Sequence, residues 1–184
     1  MPTENERKYV LDISCMKEVE ELSSDRYEIS QGYLIATRGI TVRVRSFTKS
    51  SGKSSYFFTL KASTGGRAIE IEKSIDKRDF DDLWNIALNK LEKTRYIFKD
   101  EDNWEIDFFR DYKDEVYICV AEVELPEDQY EPHTIPDLIQ NKLLYSVPLT
   151  DTRFSNKLLG DARYASQLLK EIRKELKDEV QFSR

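Results

Sequence analysis

The sequence predicts an α+β fold: a closed antiparallel eight-stranded β-barrel, a tunnel with a charged interior, flanked by helices. Three observations predict it. Strand-like segments repeat a charged, apolar, charged alternation along most of the chain. Their charged faces hold few Ser, Thr or Gln residues, which a merely solvated face would carry. The segments between them bear apolar stripes at helical spacing, and such stripes need a surface to cover. Apolar strand faces turned outward against helices, with charged faces turned inward to a wet bore, satisfy all three.

The chain opens on Glu4-Asn5-Glu6-Arg7-Lys8, where a period of two puts Glu4, Glu6 and Lys8 on one strand face. Ser14 can cap a short helix over 15–22, with Met16, Val19 and Leu22 as a weak apolar stripe. A strand is expected over 26–37, a turn at Arg38-Gly39, and a strand over 40–47 with Arg43 and Arg45 opposite Val42 and Val44. The polar run over 48–55 is a hairpin loop. Strands over 56–61 and 67–75 follow, the second with Glu70 and Glu72 opposite Ile69 and Ile71. Asp76 caps a helix over 77–89 whose stripe is Phe80, Leu83, Trp84, Ala87 and Leu88. Three more strands, over 91–98, 104–109 and 116–125, carry Lys93 and Arg95, Glu105 and Asp107, and Glu122 and Glu124. A proline- and acid-rich loop over 126–136 leads to a short helix ending near Leu143. A final helix shows its apolar side from Leu158 to Leu176.

A length of 184 residues suits one domain with a real core. With 39% hydrophobic and 11% aromatic residues the chain is not of the disordered class. Charged residues reach 35%, so they must cover a large surface or line an interior. A net charge of -6 argues against a broad nucleic-acid-binding face. No apolar run is long enough to span a bilayer, and no apolar stretch of the signal-peptide kind follows the start. Cys15 and Cys119 read as free thiols in a reducing compartment. A cytoplasmic protein is the expectation. His133 is the only histidine and sits in the acidic loop between prolines, so a Ser-His-Asp or Cys-His mechanism is not expected. Trp84 and Trp104 fall on core stripes.

Burying so many ionised groups is costly unless they are paired, hydrated or bound to ions. Arginine and lysine on several strands suit a polyanion with several phosphates. Paired carboxylates suit hard divalent cations, and Mg²⁺ commonly joins carboxylates to substrate phosphates. A bore lined by both suits a metal–triphosphate complex.

These residues resemble a known family. Glu4-x-Glu6-x-Lys8 is similar to the ExExK signature of the CYTH, or triphosphate tunnel metalloenzyme, superfamily. The likeness continues in order through Gln31-Gly32-Tyr33-Leu34, Arg43-Val44-Arg45, Thr59-Leu60-Lys61, and Arg67 with Glu70-Ile71-Glu72. It goes on through Glu92-Lys93-Thr94-Arg95-Tyr96, Trp104-Glu105-Ile106-Asp107, and Ala121-Glu122-Val123-Glu124-Leu125, to Arg153-Phe154-Ser155-Asn156. It spans about 3–160, so a domain over 1–160 and a helical extension over 161–184, packed on or plugging the same domain, are expected.

The motif variants look most like the bacterial branch that hydrolyses inorganic triphosphate. The resemblance implies a Mg²⁺- or Mn²⁺-dependent triphosphatase acting on a small-molecule triphosphate. It implies Glu4, Glu6, Glu122, Glu124 and Asp107 as metal ligands, and Lys8, Arg43, Arg45, Lys61, Lys93 and Arg95 as phosphate-binding groups. Tyr33 would shape the tunnel, while Glu70 and Glu72 would orient basic residues or the attacking water. Glu4, Glu6, Lys8, Glu70 and Glu72 form the expected catalytic set. A class IV-type adenylate cyclase and a non-hydrolysing polyphosphate- or nucleotide-binding module are the alternatives, and a monomer or homodimer is expected. The family often has a glycine turn where this chain has Arg110-Asp111-Tyr112-Lys113-Asp114.

Overall fold

The computed structural model describes residues 5–37, 39–64, 67–98 and 103–182, with side chains except at 64, 67–68 and 178–182. Among the described residues nine strands form one antiparallel sheet: β1 (Glu6–Leu11), β2 (Asp25–Thr37), β3 (Ile40–Lys49), β4 (Ser54–Thr64), β5 (Arg67–Ile75), β6 (Asn89–Phe98), β7 (Trp104–Arg110), β8 (Val116–Glu124) and β9 (Leu143–Val147). The spatial order is β5-β4-β3-β2-β6-β7-β8-β1-β9. Five α-helices accompany it among the described residues: α1 (Met16–Leu22), α2 (Lys77–Ile86), α3 (Asp137–Lys142), α4 (Asn156–Leu159) and α5 (Ala162–Phe182).

The α+β class and the antiparallel pairing are as the sequence predicts. The closed eight-stranded barrel is not. The sheet is open, with β5 and β9 as its edges among the described residues. The additional strand, β9, pairs with β1 from Lys8↔Val147 to Leu11↔Leu143. Its sequence, LLYSV, has no charged alternation to mark it.

Charge and bulk explain the elements. Asp76 caps α2 by accepting from the Asp79 amide at 2.8 Å. The apolar stripe continues to Leu88, but the helix ends at Ile86, because the Leu88 amide bonds the Tyr33 carbonyl at 2.9 Å as the chain enters β6. At the β7–β8 hairpin, Asp111 Oδ1 accepts from the amides of Lys113 and Glu115 at 2.8 and 3.0 Å. Asp114 takes the left-handed conformation there, at φ 66°, which a glycine would adopt more cheaply.

Two cores lie on opposite faces of the sheet. On one, Tyr9, Leu11, Trp104, Ile106, Phe108, Cys119, Ala121 and Val123 pack with Val19 of α1 and Leu138 and Ile139 of α3. Cys15 and Cys119 are free and buried there. On the other, Val10, Leu91, Phe109, Ile118 and Val120 pack with Phe154, Leu159 of α4, and Ala165, Leu168 and Ile172 of α5. That second face is the one the sequence predicts to be charged throughout. It is charged only along part of each strand.

Gly32 of β2 marks how closely α2 approaches the sheet. A Cβ there would meet Ala87 Cβ at 2.8 Å and Trp84 at 3.2 Å. Gly32→Ala is expected to lower stability by about 1–3 kcal/mol through overpacking, read from denaturant unfolding.

Candidate active site

Strand register brings the predicted charged residues to one face, because directly paired residues in an antiparallel sheet project to the same side. Glu6 pairs with Glu124, and Lys8 with Glu122. Glu122 pairs with Glu105, and Asp107 lies two residues on. Asp107 pairs with Arg95, and Lys93 lies two residues back. Across β2, Gln31 pairs with Arg45 and Tyr33 with Arg43. Arg43 pairs with Thr59, and Thr41 with Lys61. Thr59 and Lys61 pair with Glu72 and Glu70. Glu4 lies outside the described residues; every other predicted site residue falls on this face.

At the β1–β8–β7–β6 end, charges form a continuous network. Lys8 Nζ sits between Glu6 and Glu122, at 2.8 and 2.9 Å. Burial works against the Lys8 ammonium, but the charges of Glu122 and Glu6 outweigh it and hold its pKa above the ordinary range. Arg95 contacts Glu105, reaches Glu122 at 3.5 Å, and grips Asp107 in a two-pronged pair at 2.7 Å on each oxygen. Lys93 Nζ donates to the second Asp107 oxygen at 2.5 Å and to Asn156 Oδ1 at 2.8 Å. Asp107 is 0% exposed and Lys93 3%. Burial pushes the Asp107 carboxyl up, yet Arg95 and Lys93 together hold it well below the carboxylate range.

The β2–β5 end differs. Arg43 Nε and Arg45 Nε are buried without a hydrogen-bond partner, and neither arginine forms an ion pair among the described residues. Burial, then the charges of Arg43 and Arg95, pull Arg45 down to about 10, so it keeps its proton at neutral pH while crowded by like charge. Tyr33 beside them receives a hydrogen bond from Gln31 Nε2 at 2.6 Å. Burial pushes its phenol up, opposed by Arg43 and Arg45. Thr59 donates to Glu72 at 2.9 Å, and Lys61 meets Glu70 at 3.3 Å on the more open edge strand. Two half-buried arginines side by side, with more cation than counter-charge around them, have the chemistry that recognises anions.

Glu6, Glu122 and Glu124 present oxygen donors of the type that hold hard cations. Among the described residues no three acidic, His or Cys side chains already stand as a metal cage. Lys8 occupies the space between Glu6 and Glu122. Asp107 has both oxygens engaged by Arg95 and Lys93. Gln31, Thr59 and Asn156 are supporting residues that charge patterning alone does not single out, since each is neutral; their signal is their place inside the ordered motifs.

Open spaces adjoin this face. One, of about 240 Å³, lies between Glu6, Lys8 and the 147–155 segment. A wider cleft of about 880 Å³ opens at the rim beyond Tyr33, between Trp84, Lys90, Tyr112 and Lys157, away from the acidic network.

Removing the Asp107 charge strands two buried cations. Asp107→Asn is expected to cost about 3–5 kcal/mol in denaturant unfolding. The sign with pH follows from the depressed carboxyl. The stabilisation is complete above the ordinary carboxylate pKa of about 3.9 and fades only as pH falls toward the lower folded value. The gap between the two proteins should therefore narrow in strong acid.

No family model matches the chain, and no curated protein matches it. Solved structures do. Two crystal structures of NE1496 superpose with a TM-score of 0.54 each. One, described as a hypothetical protein, is 29% identical over 86% of this chain and 97% of its own. The other, described as the inorganic triphosphatase NE1496, is 27% identical over 84% of this chain and 95% of its own. The PH1819 protein from Pyrococcus horikoshii OT3 aligns with 91% of this chain and 88% of its own, at 14% identity and a TM-score of 0.49. The ordered charged motifs share one sheet face, and the chain is similar in fold to a triphosphatase over most of that protein's length, in keeping with the CYTH, or triphosphate tunnel metalloenzyme, superfamily that its motifs resemble.

Proposed function

We propose that the protein hydrolyses a triphosphate in a divalent-metal-dependent reaction, with inorganic tripolyphosphate as the preferred substrate and nucleoside triphosphates as slower ones. The observation that carries this reading is the division of one sheet face. Carboxylates crowd one end, and Arg43 and Arg45, each with a buried Nε that has no hydrogen-bond partner, stand at the other. The likeness to an inorganic triphosphatase supports it.

In this reading Arg43 and Arg45 take phosphate oxygens, and the bound anion relieves their mutual repulsion. Arg95 is held by Asp107, which fixes its guanidinium plane. Lys8 swings from the carboxylates to the phosphates, which frees Glu6 and Glu122, with Glu124 beside them, to hold Mg²⁺ or Mn²⁺. When bound there, the metal supplies charge neutralisation of the phosphates and a lowered pKa for an attacking water. Glu72, already hydrogen-bonded by Thr59, is placed to orient a water near Arg45.

Phosphate release from tripolyphosphate is expected with Mg²⁺ or Mn²⁺ and not with a chelator present. Glu6→Gln should lower kcat/KM on the order of 10³-fold, through loss of a metal-holding carboxylate. Unchanged turnover in Glu6→Gln would discard the assignment. Cyclic AMP from ATP would move it to the cyclase. Separately, metal-free tripolyphosphate should raise the melting temperature of wild type and fail to raise that of an Arg43→Ala, Arg45→Ala double variant, because the anion binds only the folded cradle.

A further inference from the structure

Lys93 sits among the groups expected to grip phosphate, yet its donors are spent inside the protein. One goes to Asp107 at 2.5 Å and one to Asn156 at 2.8 Å. The ammonium also faces the Phe109 ring, 5.1 Å from its centroid. An ammonium has three donors, and two of them have hydrogen-bond partners inside the protein. At 3% exposure the side chain is closed off from solvent.

Asn156 reaches Lys93 from 63 positions along the chain. It is the first residue of α4, and α4 is pressed onto the sheet. Leu159 is fully buried, and its carbonyl receives the Tyr117 hydroxyl at 2.8 Å. A Cβ on Gly160 would stand 3.0 Å from Leu91 Cβ, so this turn lies directly against β6 two residues from Lys93. The preceding segment is tied to α5, because Arg153 bonds Asp151 at 2.8 Å and Glu175 at 3.5 Å.

We infer that Asn156 is a positioning residue: it fixes the Lys93 ammonium against Asp107, and through Asp107 it fixes the Arg95 fork on the catalytic face. Lys93 is then an internal strut, and the cations of this face left to contact phosphate are Arg43, Arg45 and Arg95, with Lys8 once it leaves the carboxylates. The carbonyl of Asn156 suits the task. Its oxygen accepts a hydrogen bond from Lys93 at 2.8 Å.

The inference rests on the triphosphatase reading for its kinetic test, and it has a readout that does not. With tripolyphosphate, Asn156→Ala should lower kcat about 10-fold to 100-fold through loss of a hydrogen bond to a charged group, with KM within about two-fold of wild type. Asn156→Asp keeps an acceptor and should recover most of the loss. In parallel, a ¹⁵N-labelled wild-type protein should show a slowly exchanging Lys93 Nζ–H resonance, shifted or lost in Asn156→Ala and retained in Asn156→Asp. An unchanged resonance in Asn156→Ala overturns the inference. So does unchanged kcat, or a rise in KM with kcat preserved, which would place Lys93 on the substrate. If wild type turns over no triphosphate, the functional reading falls, and the Nζ resonance still decides whether Asn156 holds Lys93.

Discussion

The charged face depends on one buried carboxylate. Asp107 is fully enclosed and has Arg95 on one side and Lys93 on the other. Either cation alone in that position would carry a large desolvation cost, and a carboxylate alone would take up a proton. The three together are neutral to within one charge, and each polar atom has a partner. That arrangement lets β6 and β7 bring Arg95 to the inner face at all. It also sets a direction for everything around it: Arg95 turns toward Glu105 and Glu122, Glu122 holds Lys8, and Lys8 holds Glu6.

The network is balanced at one end and unbalanced at the other, and the imbalance is where ligand chemistry is expected. Arg43 and Arg45 sit two residues apart on β3 with no carboxylate paired to either among the described residues. Crowded cations in a half-buried place weaken the apo protein, and that strain is released on meeting an anion. Glu70 and Glu72 do not cancel it, since Glu70 lies on the open edge beside Lys61 and Glu72 is turned to Thr59. The carboxylate end poses the opposite problem. Lys8 satisfies Glu6 and Glu122 together, so these carboxylates already have their counter-charge. Under the proposed function an incoming phosphate would meet both problems, drawing Lys8 away as it neutralises the arginines.

Much of this was legible in the sequence because a strand's period of two is a local property. Glu6 and Lys8, Arg43 and Arg45, Lys93 and Arg95, and Glu122 and Glu124 share faces whatever the fold, and the order of motifs then named the family. Closure was not legible. Whether a sheet joins its own edges depends on the register and twist of every strand, and no single segment encodes it. The strand β9 carries Leu143, Leu144 and Val147 without a charged partner pattern, so nothing local separated it from the end of a helix. Asn156 was visible inside Arg153-Phe154-Ser155-Asn156, but its contact with Lys93 spans 63 positions and belongs to tertiary structure.

The expected charged face is also modified along the strands. Each strand of β1, β6, β7 and β8 presents charge at one end of its inner face and apolar bulk at the other: Glu6 and Lys8 then Val10, Arg95 and Lys93 then Leu91, Asp107 then Phe109, Glu122 then Val120 and Ile118. The apolar ends require a cover, and α4, α5 and Phe154 provide it. The same face therefore holds a wet, charged compartment and a dry core in series, with Lys93 and Asn156 at the boundary between them. A wholly charged bore would need counter-ions along its full length. Confining charge to one end limits the desolvation cost to groups that pair with each other or with a ligand, and the apolar end contributes about 25 cal/mol for each Å² it buries. On this argument the C-terminal segment is part of the site's construction: it supplies the dry floor against which the buried Lys93–Asp107–Arg95 unit is held.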